Sequence, residues 1–143
     1  MEIKINNLAR GYKLSRKEKN IFFTVAKKVL KGENKEKKTI SLAFVDRVEI
    51  KELNKKFRKI DKATDVLSFE LRPEISAENF LGDYLGEVIL CPAVVKEKKE
   101  NILRVFIHGI LHLCGYDHEK GEEDAKIMEK KENLYLSNLK NIK

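Results

Sequence analysis

The chain is poor in the features that brace secreted proteins or cross membranes. Two cysteines, Cys91 and Cys114, occur in 143 residues, too few for a disulfide framework. No apolar run approaches the ~20 residues needed to span a bilayer. The N-terminus, Met1-Glu2-Ile3-Lys4-Ile5, has no apolar stretch or small-residue cleavage site, so it does not read as a signal peptide. These absences predict a cytoplasmic protein with no membrane partner. No repeat, low-complexity tract or interdomain linker appears. The length suits one domain, 1–143, large enough to bury a core.

Histidine is also scarce, and here the scarcity is informative. All three histidines fall in one stretch, His108-Gly109-Ile110-Leu111-His112-Leu113-Cys114-Gly115-Tyr116-Asp117-His118. The apolar run from Ile102 to Leu113 predicts a helix. Residues four apart on a helix share a face, ~6 Å apart along the axis, so His108 and His112 can aim at one point. Gly115 suits a left-handed helix end, and the turn through Tyr116 and Asp117 can return His118 to the same point. Three converging imidazoles leave a fourth position open, which is catalytic zinc geometry. One zinc ion per chain is expected. Nickel, copper and iron stay open from ligand type alone. Cys114 is a conceivable further ligand, but a small buried apolar role suits it better.

The rest of the chain reads as an α+β domain. Glu2 to Asn6 alternates like a strand. Ser15-Arg16-Lys17-Glu18 is a capping box opening a helix to about Lys31, with Ile21, Phe22, Val25, Val29 and Leu30 inward. Thr39 to Val45 is a buried strand. Asp46 with Glu49 caps a helix to about Phe57, with Val48, Ile50, Leu53 and Phe57 inward. Val66 to Leu71 is a third strand, Arg72 to Asp83 a long irregular connection, and Leu85 to Cys91 a fourth strand. Pro92 starts a short helix. Glu122 to Leu139 is a last helix, with Ile127, Met128, Leu134 and Leu136 as core. Strand-helix-strand units favour parallel neighbours, and no helix separates the third strand from the fourth. The expectation is a four-stranded mixed sheet, mostly parallel with one antiparallel strand, packed with about five helices that include a metzincin-like metal-site helix.

The spacing H-x-x-x-H-x-x-G-x-x-H equals the metzincin protease pattern in every position but one. Gly109 stands where those proteases carry the general-base glutamate. A peptidase needs that carboxylate to activate water, so its absence argues against proteolysis. Gly109 costs about 1 kcal/mol in a helix relative to alanine. Close packing on a strand and room for a substrate can each repay that. A bound metal can still acidify water and polarise a phosphoryl oxygen, or an RNA 2′-hydroxyl can attack instead. Asp65 and Asp117 are candidates to orient an imidazole, although Asp117 equally suits a turn residue bonding its own backbone. The net charge of +7 suits a polyanionic partner.

The histidine stretch resembles the signature of the YbeY family of endoribonucleases, H-G-x-L-H-L-x-G-Y-D-H. Leu53-Asn54-Lys55-Lys56-Phe57-Arg58, with Asp61 and Thr64-Asp65-Val66-Leu67-Ser68-Phe69, is similar to that family's L-N-x-x-Y-R…D-x-P-T-D-V-L-S-F. Leu85-Gly86-Glu87-Val88-Ile89 is similar to its L-G-D-I-x-I strand. Phe57, Ala63 and Glu87 depart from the usual Tyr, Pro and Asp, and none is a proposed ligand. The resemblance implies a zinc-dependent, single-strand-preferring hydrolase acting on RNA. It would serve ribosomal RNA maturation at the 3′ end of small-subunit precursor RNA, and ribosome quality control, with ribosomal proteins as partners. It makes His108, His112 and His118 the zinc ligands, with His108 part of the catalytic centre, and Arg58 the catalytic phosphate contact. Read alone, Arg58 is a cation near a helix C-terminus. A zinc peptidase and a non-catalytic RNA-binding or ribosome-binding module are the competing readings.

Overall fold

The computed structural model describes residues 3–70, 83–137 and 139, apart from the side chain of His118. Four strands, β1 (Lys4–Asn7), β2 (Thr39–Phe44), β3 (Val66–Glu70) and β4 (Tyr84–Leu90), form one sheet in the order β1-β2-β4-β3. β1 pairs β2 and β2 pairs β4 in parallel, whereas β3 pairs β4 antiparallel, with Leu67 opposite Ile89. The helices are α1 (Arg16–Gly32), α2 (Arg47–Arg58), α3 (Pro92–Glu97), α4 (Ile102–Leu113) and α5 (Glu122–Ser137), with a 3-10 turn at His118–Lys120. The expected α+β domain with a mixed sheet is what forms. Glu2 and most of the connection expected over 72–83 lie outside the described residues.

Alternation along the strands splits the core in two, because successive side chains point to opposite faces. Ile40, Leu42, Phe44, Val88 and Leu90 face α1, α4 and α5. Ala43, Leu67 and Ile89 face the other way, toward Ile50 of α2 and Val94 of α3. The capping box at Ser15 forms as expected, with the Ser15 side chain accepting from the Glu18 N–H. None of the helices among the described residues is long and apolar enough to cross a membrane.

Three expectations need correction. Asp46 sits at the N-cap of α2, but its side chain makes no cap bond. Its Oδ1 instead accepts the Arg10 N–H at 2.8 Å. Val48 and Phe57 are not inward: Val48 is 70% exposed, and α2 buries only Ile50 and Asn54. On α5, Met128 is buried as expected, but Ile127 and Leu134 face out, and Glu132 and Tyr135 are buried in their stead. The last two errors follow from ranking residues by apolarity. Glu132 and Tyr135 turn inward to polar partners on α4 and at the C-cap of α1.

Candidate active site

Helix α4 carries the centre of the site. Asn101 caps it, its side chain accepting from the N–H groups of Leu103 and Arg104 at 2.9 and 3.2 Å. Val105, Phe106, Ile107, Ile110 and Leu111 are buried in the main core. Arg104, His108 and His112 recur every four residues, so they form a row along another face. Gly109 lets this helix sit close on the sheet. A Cβ there would stand 2.7 Å from Val88 Cγ1 and 3.1 Å from Val66 Cγ2. The Ser68 hydroxyl donates to the Gly109 carbonyl at 2.8 Å. The glycine therefore repays its helix cost through close helix–strand packing.

The helix ends as its sequence predicts. The Tyr116 N–H reaches Leu111 O at 3.1 Å and the Gly115 N–H reaches His112 O at 3.0 Å. With Gly115 at φ +105°, this is the Schellman pattern. Asp117 follows, its Oδ1 accepting the Glu119 N–H at 2.9 Å, which starts the 3-10 turn at His118.

The structure brings His108 and His112 together. Their Nε2 atoms are 3.1 Å apart. An N–H···N bond or a shared cation accounts for such an approach. Two nitrogens bound at ~2.0–2.1 Å to a tetrahedral zinc lie ~3.3 Å apart, so this donor pair fits the ion. His108 Nδ1 lies 2.7 Å from Glu132 Oε2, and the other oxygen of Glu132 is 3.2 Å from Arg104 Nε. A carboxylate only accepts, so it places the His108 proton on Nδ1 and leaves Nε2 with its lone pair toward His112. Glu132 is buried. The side chain of His118 lies outside the described part of the structure. Among the described residues, no three His, Cys, Asp or Glu side chains form a metal cluster.

The histidines line a cleft of about 710 Å³ with Arg58, Asp65, Lys98, Glu100, Arg104 and Asp117 also on its walls. Arg58 Nη2 is 3.4 Å from Glu119 Oε1. Lys59, in the left-handed region at φ 63°, ends α2. Buried Asn54 donates to Lys62 O at 2.9 Å and so ties down the loop between Arg58 and Asp65. Asp65 accepts from the Thr64 hydroxyl at 3.3 Å and lies 3.8 Å from Lys98 Nζ. Burial and a hydrogen bond to Asp65 push the Glu100 carboxyl up to about 7.

Behind the site, the Glu33 carboxylate accepts from the hydroxyls of Tyr116 and Tyr135 and from Lys131 Nζ. Burial alone would raise its pKa, but these donors outweigh it and hold the carboxyl below its ordinary range. Cys114 packs at the edge of the main core, where burial, then the Glu33 charge, push its thiol up to about 11. Such a thiol is unreactive at neutral pH.

Sequence reasoning missed Glu132, Glu33, Arg104 and Glu100. Arg104 had a usable signal, lying four residues before His108. Glu132 had a weaker one, sharing a helix face with Met128 and Tyr135. Glu33 had none.

The family model described as Endoribonuclease YbeY matches residues 4–140. The chain is similar to an Endoribonuclease YbeY of Aquifex aeolicus, 42% identical over 70% of this chain and 69% of that protein. A Sulfurihydrogenibium relative of the same description is 41% identical over 73% of this chain and 72% of its own. The solution structure of TM1509 from Thermotoga maritima superposes with a TM-score of 0.60 at 33% identity, over 94% of this chain and 86% of that one. With nearly its whole length matched and the histidine-bearing helix seated in the cleft, the chain belongs to the YbeY family of endoribonucleases.

Proposed function

We propose that this protein is a zinc-dependent endoribonuclease preferring single-stranded RNA. Its role would be cytoplasmic, in maturing the 3′ end of small-subunit ribosomal RNA and in ribosome quality control, with ribosomal proteins as partners. Family membership supports RNA as substrate. The observation that carries the metal is the pair of Nε2 atoms 3.1 Å apart in a cleft shared with Arg58. His108, His112 and His118 would hold the ion. Zinc bound there supplies Lewis-acid polarisation of a phosphoryl oxygen.

The chain's own residues do the remaining work. Glu132 keeps the His108 proton on Nδ1, so that Nε2 is the nitrogen left for the ion. Arg58 offers a planar guanidinium to the phosphate and to the charge that grows on it during attack. The Asp65–Glu100 pair, with Glu100 near 7, can accept a proton in the cleft at neutral pH. Gly109 removes the position from which a metzincin glutamate would act, and its packing on Val88 and Val66 leaves no room for a side chain there.

The test is cleavage of a labelled small-subunit ribosomal RNA precursor by purified protein, with His108→Ala purified in parallel. Cleavage by the wild type alone, lost with a chelator and restored by zinc, is the expected result. Equal cleavage by both proteins would place the activity in a contaminant or another site. No cleavage by either, with zinc bound, would favour a binding module.

A further inference from the structure

We propose that Arg104 is a second phosphate-binding residue of the cleft, holding a backbone phosphate next to the one that is cut. This deepens the endoribonuclease reading and rests on it. Arg104, His108 and His112 stand on successive turns of α4, so Arg104 lies one turn, ~6 Å, from the first histidine. Arg58 pairs with Glu119 of the 3-10 turn, which follows the other end of this helix. Both arginines line one cleft with the histidine pair. An extended strand laid in that cleft meets a guanidinium on each side of the reacting phosphate.

The local chemistry of Arg104 calls for an anion. It occupies the first turn of α4, which contains no acidic residue, and a cation there opposes the helix dipole. Glu132 is one partner, reached through Nε at 3.2 Å. That carboxylate is shared with His108, whose Nδ1 lies closer, at 2.7 Å. A guanidinium has five N–H donors, so most of those on Arg104 remain for a ligand. Its side chain keeps 33% of its surface exposed, on the cleft wall. An arginine serving only to neutralise Glu132 has no need of that exposure. Because one buried carboxylate holds both Arg104 and His108, the guanidinium is kept in register with the histidine pair. A planar fork so anchored suits a phosphodiester, whose two free oxygens it can meet together.

The proposal predicts a substrate that needs a charged linkage beside the cut. Arg104→Gln and Arg104→Lys are compared with wild type at saturating zinc, with zinc content measured on each. Binding is read with a short 2′-O-methyl oligoribonucleotide, and cleavage with an RNA carrying one neutral methylphosphonate beside the cut, on either side in turn. Expected are a KM raised by roughly tenfold or more in Arg104→Gln, in line with loss of a charged hydrogen bond, and a change in kcat smaller than that in KM. The slope of log affinity against log salt flattens by about 0.7. Arg104→Lys regains the slope but not the full affinity. The neutral linkage weakens wild type at one position and leaves Arg104→Gln unchanged there.

Three results would overturn the proposal. One is an unchanged KM and salt slope in Arg104→Gln. Another is a neutral linkage that weakens both proteins equally at every position. The third is a defect that tracks zinc content and vanishes at saturating zinc, which would confine Arg104 to supporting Glu132. A wild-type protein that neither binds nor cuts RNA would instead sink the endoribonuclease reading, and this inference with it.

Discussion

Two clusters of polar side chains, one around Glu33 and one in the histidine cleft, are built in opposite ways. In the first, one carboxylate, Glu33, is enclosed by three donors, from Tyr116, Tyr135 and Lys131, and its side chain is 6% exposed. Facing the cleft, carboxyls are shared or crowded. Glu132 serves both His108 and Arg104, and Asp65 faces another carboxyl, Glu100. The first cluster drives its carboxyl down in pKa and the second drives Glu100 up. A saturated cluster holds structure together and asks for nothing more. A cleft of crowded carboxyls and exposed arginines is costly in the free protein and is stabilised by what binds to it, which is the pattern of functional sites.

Removing Glu33 should produce the largest change. Glu33→Ala leaves two tyrosine hydroxyls and Lys131 without their acceptor, and about 2–3 kcal/mol of folding stability should go with it. A urea-unfolding midpoint within error of wild type would mean the cluster is ornamental. Glu132→Gln should do the reverse. Zinc affinity should fall about 10–100-fold, the usual cost of losing a carboxylate behind a histidine ligand, while stability falls less. Competitive titration with a zinc chelator reads this directly, and equal affinities would end the claim that Glu132 sets the His108 tautomer.

The smallest effect is in pH dependence, where the two carboxyls should differ in sign. Glu33 has a lowered folded pKa, so its contribution is present above the ordinary carboxylate range and lost as pH falls through it. The gap in Tm between wild type and Glu33→Gln should therefore narrow below pH ~4. Glu100 has a raised one, about 7. Its contribution is present at low pH and lost as pH rises through 7, so Glu100→Gln should gain stability relative to wild type above pH 7. Parallel Tm profiles for the two variants would break the contrast.

The metal-site helix was legible because its information is local. A period of four places His108 over His112, and Gly115 ends the turn, whatever the rest of the chain does. The same holds for the capping box at Ser15 and for antiparallel β3, which has no helix between it and β4. Helix faces were less legible where polar residues turn inward. Val48, Phe57, Ile127 and Leu134 are apolar and stay outside, because α2 needs only a narrow stripe and α5 spends inward positions on Glu132 and Tyr135. Among acidic residues, Asp117 stands next to His118 in the sequence, and Asp65 stands in the Thr64-Asp65-Val66 motif. The partner that meets His108 Nδ1 is Glu132, 24 residues downstream.

By itself the sequence determined the sheet's mixed character, the helix carrying the histidines, the turn that ends it and the family. All of these depend on backbone periods and turn residues that act over a few positions. Only the tertiary structure decided which carboxylate sits behind which histidine, that Arg58 and Arg104 share one cleft, and that Glu33 joins α1 to residues 83 and 102 positions away. A buried charge must find a partner wherever the packed chain supplies one, and no local pattern records where that will be.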